Sequence, residues 1–242
     1  ILSENRPFSM ETAACDEEYE PSSEYDSSFA LQIFAAREAV FKILAEESLS
    51  IHEKLIVILD MGSKIQQCIN TDEYDNIKSV VNDYLKEGIA HTLDETRNLS
   101  DSGQFEDISL QQGIRQILYP YEEMEVLNPE WEVILKDIID SLFEQMSDEE
   151  YNILNEEFGT YMVSRAYEYR QLLEYLVFRY FAKSIYDYDF LGKCQMLVTN
   201  FFVIRQMDII RWLDNHREYS FKDRMDVVHI FSRQVEYSED NI

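Results

Sequence analysis

Apolar residues recur along this chain at the three- and four-residue spacing of amphipathic helices, and nowhere at the strict alternation of a half-buried strand. From Ser28 to Glu47 the residues Phe29, Ile33, Phe34, Val40, Phe41 and Leu44 share one broad face. Ser50-Ile-His-Glu53 then reads as a capping box, and the helix it opens carries Leu55, Ile58, Leu59, Met61, Ile65 and Ile69. Thr71 is placed to cap a third helix striped by Ile77, Val80, Val81, Tyr84 and Leu85, with Gly88 at its end. Residues 89–104 are weakly patterned, and Asn98 to Gly103 (NLSDSG) is the most loop-like interior passage, a mobile segment or a boundary between subregions. A short helix at about 105–119 is expected to stop at Pro120.

Asn128-Pro129 is a helix start, with Asn as cap, Pro in the first turn, and Glu130 and Glu132 near the positive helix end. Trp131, Ile134, Leu135, Ile138, Ile139, Leu142 and Phe143 form its apolar face. Ser147 and Glu150 make a second capping box, opening a run that passes, with or without a break at Gly159, into the next stretch. Ser220 with Asp223 caps a last helix carrying Met225, Val227, Val228, Ile230, Phe231 and Val235. The fold class is all-α.

Tyr167 to Leu213 stands apart, because it is apolar around most of the helical circumference. Such helices are covered on several sides. The expectation is an irregular multi-helix bundle with two central, largely buried helices, about 165–187 and 189–214, meeting at Tyr186-Asp187-Tyr188-Asp189. Residues 28–242 read as a single helical domain with a possible subregion boundary near 98–104. Residues 1–27, broken by Pro7 and Pro21 and rich in unrelieved acids, read as an irregular linker. The chain opens with Ile1, so it reads as part of something longer.

Composition narrows the function. Twenty-one basic against 48 acidic side chains give a formal charge of -27. That argues against nucleic acid, whose phosphates need a basic footprint, and suits either a plain acidic surface or a basic protein partner. The three cysteines, Cys15, Cys68 and Cys194, have neither zinc-ligand spacing nor a disulfide pattern, so a reducing, cytoplasmic setting is expected. The apolar run Cys194–Ile204 is too short to span a bilayer.

Phosphate-loop, dinucleotide, nucleophile-elbow and HExxH signatures are all missing. Asp226 and His229 have a spacing compatible with two metal ligands, but no partner motif accompanies them and a surface pair is the simpler reading. The tyrosines between Tyr161 and Tyr188 are either packing or the wall of an aromatic ligand pocket. The charges within the apolar helices complete a candidate ligand or ion-pair pocket: Tyr175, Arg179, Tyr180, Lys183, Asp187, Arg205, Asp208 and Arg211. Charges carried into a helical core must be paired or hydrogen-bonded, so these are either structural ion pairs or an anion site.

LLEYLVFRYFAKSIYDYDFLGK at 172–193, VIRQMDIIRW at 203–212 and FSRQVEYSEDNI at 231–242 resemble the C-terminal region of the FliB-type flagellin lysine-N-methylases. NPEW at 128–131 and SLSIHEKLIVIL at 48–59 follow the family's order, so the likeness runs from about Ala36 to the end. It implies all or part of an enzyme that methylates flagellin lysines with S-adenosylmethionine. The family's Cys-rich N-terminal part, suggestive of an iron–sulfur cluster, has no counterpart here: that part lies outside this sequence, or the chain is a degenerate relative. No catalytic residue is assigned through the resemblance. The competing expectation is a non-enzymatic acidic helical protein that holds a basic partner, and a small-molecule-binding helical regulator ranks below both.

Overall fold

The computed structural model describes residues 27–102 and 108–236. The expected acidic linker up to residue 26, Cys15 and the end of the last family motif lie outside the described residues. Every regular element among the described residues is helical. In chain order these are α1 (Ser27–Ala45), α2 (Ile51–Asn70), α3 (Ile77–Asp83), α4 (Ile89–Asp101), α5 (Leu110–Glu122) and α6 (Pro129–Ile138). There follow α7 (Asp148–Met162), α8 (Ala166–Tyr180), the single turn α9 (Ser184–Asp187), α10 (Phe190–Asp214) and α11 (Phe221–Val235). No helix among the described residues is long and apolar enough to cross a membrane.

The chain groups into two compact units. The first holds α1 to α4 with residues Arg165–Val198, and the second holds α5 to α7 with the chain from Thr199 onward. The helix α10 contributes its first turns to one unit and the rest to the other. The first passage between units falls between α4 and α5, beside the 98–104 segment; the other two, before Arg165 and after Val198, fall where the sequence shows no break.

The start signals read from the sequence are the ones the backbone uses. Ser50 with Glu53, Ser147 with Glu150 and Ser220 with Asp223 each form a complete capping box, and the Asn128 side chain accepts from the Glu130 N–H with Pro129 opening α6. A fourth box, Ser109 with Gln112, starts α5. At Ser220 the hydroxyl accepts from the Asp223 N–H at 3.3 Å, and the Asp223 carboxylate accepts the Ser220 N–H at 2.7 Å. Burial pulls the Asp223 carboxyl up, but the bonds from Ser220 and Asn215 outweigh it and hold it below its ordinary value. Ser220→Ala is therefore expected to cost about 1 kcal/mol in denaturant unfolding at neutral pH. A depressed carboxylate stabilises the fold above its unfolded pKa and loses that contribution as pH falls through the folded one, so the deficit should shrink in acid.

Stop signals were less faithful. Thr71 does not open a helix; it closes α2, its N–H donating to the Gln67 carbonyl at 3.1 Å and the next N–H, of Asp72, to the Ile69 carbonyl at 3.2 Å. Gly88 does not end one either, but stays helical at φ -62°, ψ -31°, and a π-turn over Tyr84–Gly88 leads straight into α4. Glycine terminates a helix only where it takes up a left-handed conformation, which this one does not. The loop-like NLSDSG begins inside α4, which runs to Asp101. The pattern there was weak because Thr92 and Leu93 are the residues of α4 that are buried. Pro120 sits in the last turn of α5 instead of stopping it. So near the end, proline forfeits one hydrogen bond to the Gln116 carbonyl and little else.

The two apolar helices are as buried as their composition demands. Every residue from Val203 to Ile210 is buried, so that part of α10 has no solvent face. The stretch from Ala166 to Asp187 is interrupted by a 3-10 turn at Phe181–Lys183, and the corner after it turns through Tyr188 in the left-handed region at φ 57°. The amides that open α10 would otherwise be orphaned. Gln66 of α2 accepts the N–H groups of Phe190 and Leu191 at 2.9 and 3.1 Å and donates to the Tyr188 carbonyl at 3.0 Å. Asp189 accepts the Gly192 N–H at 2.8 Å, so close that a Cβ on residue 192 would sit 1.9 Å from its carboxylate.

Candidate functional site

The eight side chains singled out in the sequence fall in both units. Tyr175, Arg179, Tyr180, Lys183 and Asp187 belong to the first; Arg205, Asp208 and Arg211 belong to the second. In the first unit, Tyr180 is buried and carries two of the protein's own cations over its ring, the Arg179 guanidinium at 5.5 Å and the Lys183 ammonium at 5.1 Å. Arg179 Nε also donates to the Tyr180 hydroxyl at 3.1 Å. Asp187 is exposed and pairs with Lys193 at 2.6 Å, and Tyr175 is half-buried on α8.

In the second unit Asp208 and Arg205 are engaged within the fold. Asp208 and Arg224 are both fully buried and form an ion pair, the Arg224 Nη1 donating to Asp208 Oδ2. The Tyr219 hydroxyl donates to the other carboxylate oxygen, and its ring lies under the Arg224 guanidinium at 5.4 Å. Arg205 rests on the Phe158 ring at 5.2 Å and donates to the Asn155 carbonyl at 3.0 Å. Arg224 was not anticipated, although it stands in register with Val227 and Phe231 on the buried stripe of α11. A charge at an apolar-stripe position is the signal that marks it.

A second polar cluster, also unanticipated, lies in the first unit. Asp60 accepts from Thr92 at 2.7 Å, from Lys64 at 3.2 Å and from the Tyr84 hydroxyl, which in turn accepts from Lys64 at 2.7 Å. Burial raises the Asp60 carboxyl, yet the bonds from Tyr84, Thr92 and Lys64 bring it below its ordinary value. The groups satisfy one another. This is a joint between α2, the π-turn and α4.

A cleft of about 760 Å³ lies in the second unit, between α6, α10 and α11. Its apolar floor includes Ile134, Ile210 and Ile230. Around that floor stand Glu130 and Asp137 of α6, Arg211 and Asp214 of α10, and Asp226, His229 and Arg233 of α11. Thus Asp226 and His229 do share a cleft, as does Arg211. Among the described residues no group of three or more His, Cys, Asp or Glu side chains could hold a metal ion. Cys68 and Cys194 are buried free thiols, and burial pushes both upward, away from the thiolate form that a cluster needs.

Fold and cleft define an all-helical protein that carries a charged surface groove. The FliB lysine N-methylase C-terminal domain matches residues 37–242, and the chain belongs to that family. No curated protein and no solved structure matches it.

Proposed function

We propose that this chain is the helical domain of an S-adenosylmethionine-dependent protein lysine N-methyltransferase acting on flagellin-like substrates. The observation that carries the reading is the family match over residues 37–242, which takes in both units. The acidic balance supports it, since a formal charge of -27 attracts a lysine-bearing surface.

S-adenosylmethionine, when bound, supplies an electrophilic methyl group. Aromatic faces and carboxylates favour a sulfonium. The cleft between α6, α10 and α11 offers carboxylates but has no aromatic side chain in its lining, and the Tyr180 ring already carries Arg179 and Lys183. These residues do not fit the donor, and no step through it is derived from them. Nor do the described cysteines fit an iron–sulfur cluster. The part of the reaction they suit is binding: holding a protein substrate so that its amine is oriented and partly shielded from water.

The test is methyl transfer to a purified flagellin-like protein, read by mass spectrometry of its lysine-containing peptides. Added methyl groups that depend on S-adenosylmethionine are expected. Unmodified lysines, together with no thermal shift on adding the donor, would overturn the enzymatic reading. The net charge favours one other role, an acidic module that grips a basic protein without modifying it. That role requires binding that weakens as salt rises, with no methyl transfer.

A further inference from the structure

The cleft of the second unit carries charges that have no hydrogen-bond or ion-pair partner in the fold. The described arginines outside it are engaged: Arg97 with Glu53, Arg165 with Glu168, Arg217 with Glu157 and Arg224 with Asp208 are examples. Arg211 and Arg233, which line the cleft, make neither a hydrogen bond nor an ion pair, and the same is true of the Asp137, Asp214 and Asp226 carboxylates. At the rim, the Nδ2 of the buried Asn128 has no hydrogen-bond partner although its Oδ1 caps α6.

The helix directions sort these groups. The start of α6 is tied to the end of α11, because Gln234 accepts the Leu127 and Asn128 N–H groups at 3.0 and 3.2 Å. The two helices therefore run antiparallel along the cleft, which sets Glu130 beside Arg233 and Asp137 beside Asp226. The end of α10 is tied to the start of α11, Asn215 donating to Asp223 at 2.9 Å. Asp214 therefore joins Asp137 and Asp226. One end of the cleft gathers three carboxylates from three helices, with Arg211 of α10 as the single arginine among them; the middle is floored by isoleucines; the other end has Arg233, the Asn128 amide and the positive terminus of α6. The span from Glu130 to Asp137 is seven helical residues, or about 10 Å at 1.5 Å each.

The geometry points to this cleft as the subsite for a lysine side chain of a protein substrate. This assignment rests on the proposed lysine-directed function and goes beyond it in naming the residues. The ε-ammonium lies among Asp137, Asp214 and Asp226. The four methylenes cross Ile134, Ile210 and Ile230. The peptide backbone lies at the Arg233 and Asn128 end, where its carbonyl oxygens meet donors. A lysine stem covering apolar surface while its charged head sits among acids is the ordinary behaviour of that side chain.

The probe is a nine-residue blocked peptide with one central lysine among alanines and serines, titrated into the purified chain by calorimetry. The comparison peptide carries norleucine in place of lysine. Wild-type protein is expected to bind the lysine peptide at least tenfold more tightly than the norleucine peptide. Asp214→Asn with Asp226→Asn should lower that affinity by at least tenfold. Glu123→Gln with Glu149→Gln removes the same amount of charge from exposed sites outside the cleft and should change it less than twofold. Equal losses in the two double variants would mean diffuse attraction to an acidic surface and would overturn the proposal. So would equal binding of the two peptides, or no measurable binding of the lysine peptide by the wild type. These are binding measurements, so a failure of methyl transfer bears on the proposed reaction and leaves them standing.

Discussion

Replacing Asp208 by asparagine is expected to lower the stability of the protein by about 3–5 kcal/mol, the usual cost of removing one partner of a buried ion pair. Asparagine keeps the size of the side chain and can still accept from the Tyr219 hydroxyl. It cannot neutralise the Arg224 guanidinium, which is fully buried and has an aromatic ring over one face. The reverse substitution, Arg224→Met, strands the carboxylate in the same way. Changing both residues at once, Asp208→Leu with Arg224→Met, should recover much of the loss, because a well-packed apolar pair replaces two desolvated charges. Denaturant unfolding of Asp208→Leu, Arg224→Met and the double forms a cycle whose coupling should be large and favourable. A near-additive cycle would show that the pair contributes little beyond packing. Tyr219→Phe removes one hydroxyl and should cost about 1 kcal/mol, with Asp208 still satisfied by Arg224.

That pair also shows where reading the chain residue by residue works and where it stops. The helical class, the four starts at Ser50, Asn128, Ser147 and Ser220, and the burial of α10 are local properties. Spacing and capping chemistry are sufficient to see them, because a helix start is decided within four residues. The family follows from the wording of a few segments for the same reason. Stops are less legible, as Gly88 and Pro120 show, since both residues are tolerated where neighbouring turns carry the chain onward. Pairing is less legible still. Asp208 is a charge in an apolar run, with Arg205 and Arg211 one turn away on the same helix. The structure gives it Arg224, sixteen residues along, and leaves Arg205 to Asn155 and Phe158.

The cleft was invisible for a related reason. Its acids belong to three helices, with Glu130, Asp137 and Asp214 exposed and Asp226 half-buried, so no single stretch looks unusual. Along the chain Arg211 is distinguished by its apolar neighbours and the Asp226–His229 pair by its spacing. What joins them is the antiparallel seating of α11, held by Gln234 at one end and Asn215 at the other. Charges that are unremarkable along the chain become a set once three helices present them together.

Trp131→Ala is expected to cost about 3–5 kcal/mol, in the range for removing a large aromatic side chain from a packed interior. Trp131 is 1% exposed, and its ring lies 6.2 Å from Tyr121 and 6.3 Å from Phe231, so it joins α6 to both α5 and α11. Asn128 and Glu130 flank this anchor closely, and the cleft opens on the adjoining face of α6. Loss of the indole should therefore loosen the seating of α6 on α11 and weaken lysine-peptide binding as well as stability. Trp131→Phe, which keeps an aromatic body, should lose less of both. The neutralised cleft variant with Asp214→Asn and Asp226→Asn is expected to behave oppositely, with stability within about 0.5 kcal/mol of wild type and binding sharply reduced, since its side chains are solvent-facing and unpaired. Denaturant midpoints and peptide affinities measured on the same preparations separate the two cases. If the alanine variant remains folded and binds the peptide as wild type does, the packing of α6 on α11 does not shape the cleft. If the neutralised variant loses stability as severely as the alanine variant, those aspartates hold the fold together and are not poised for a ligand.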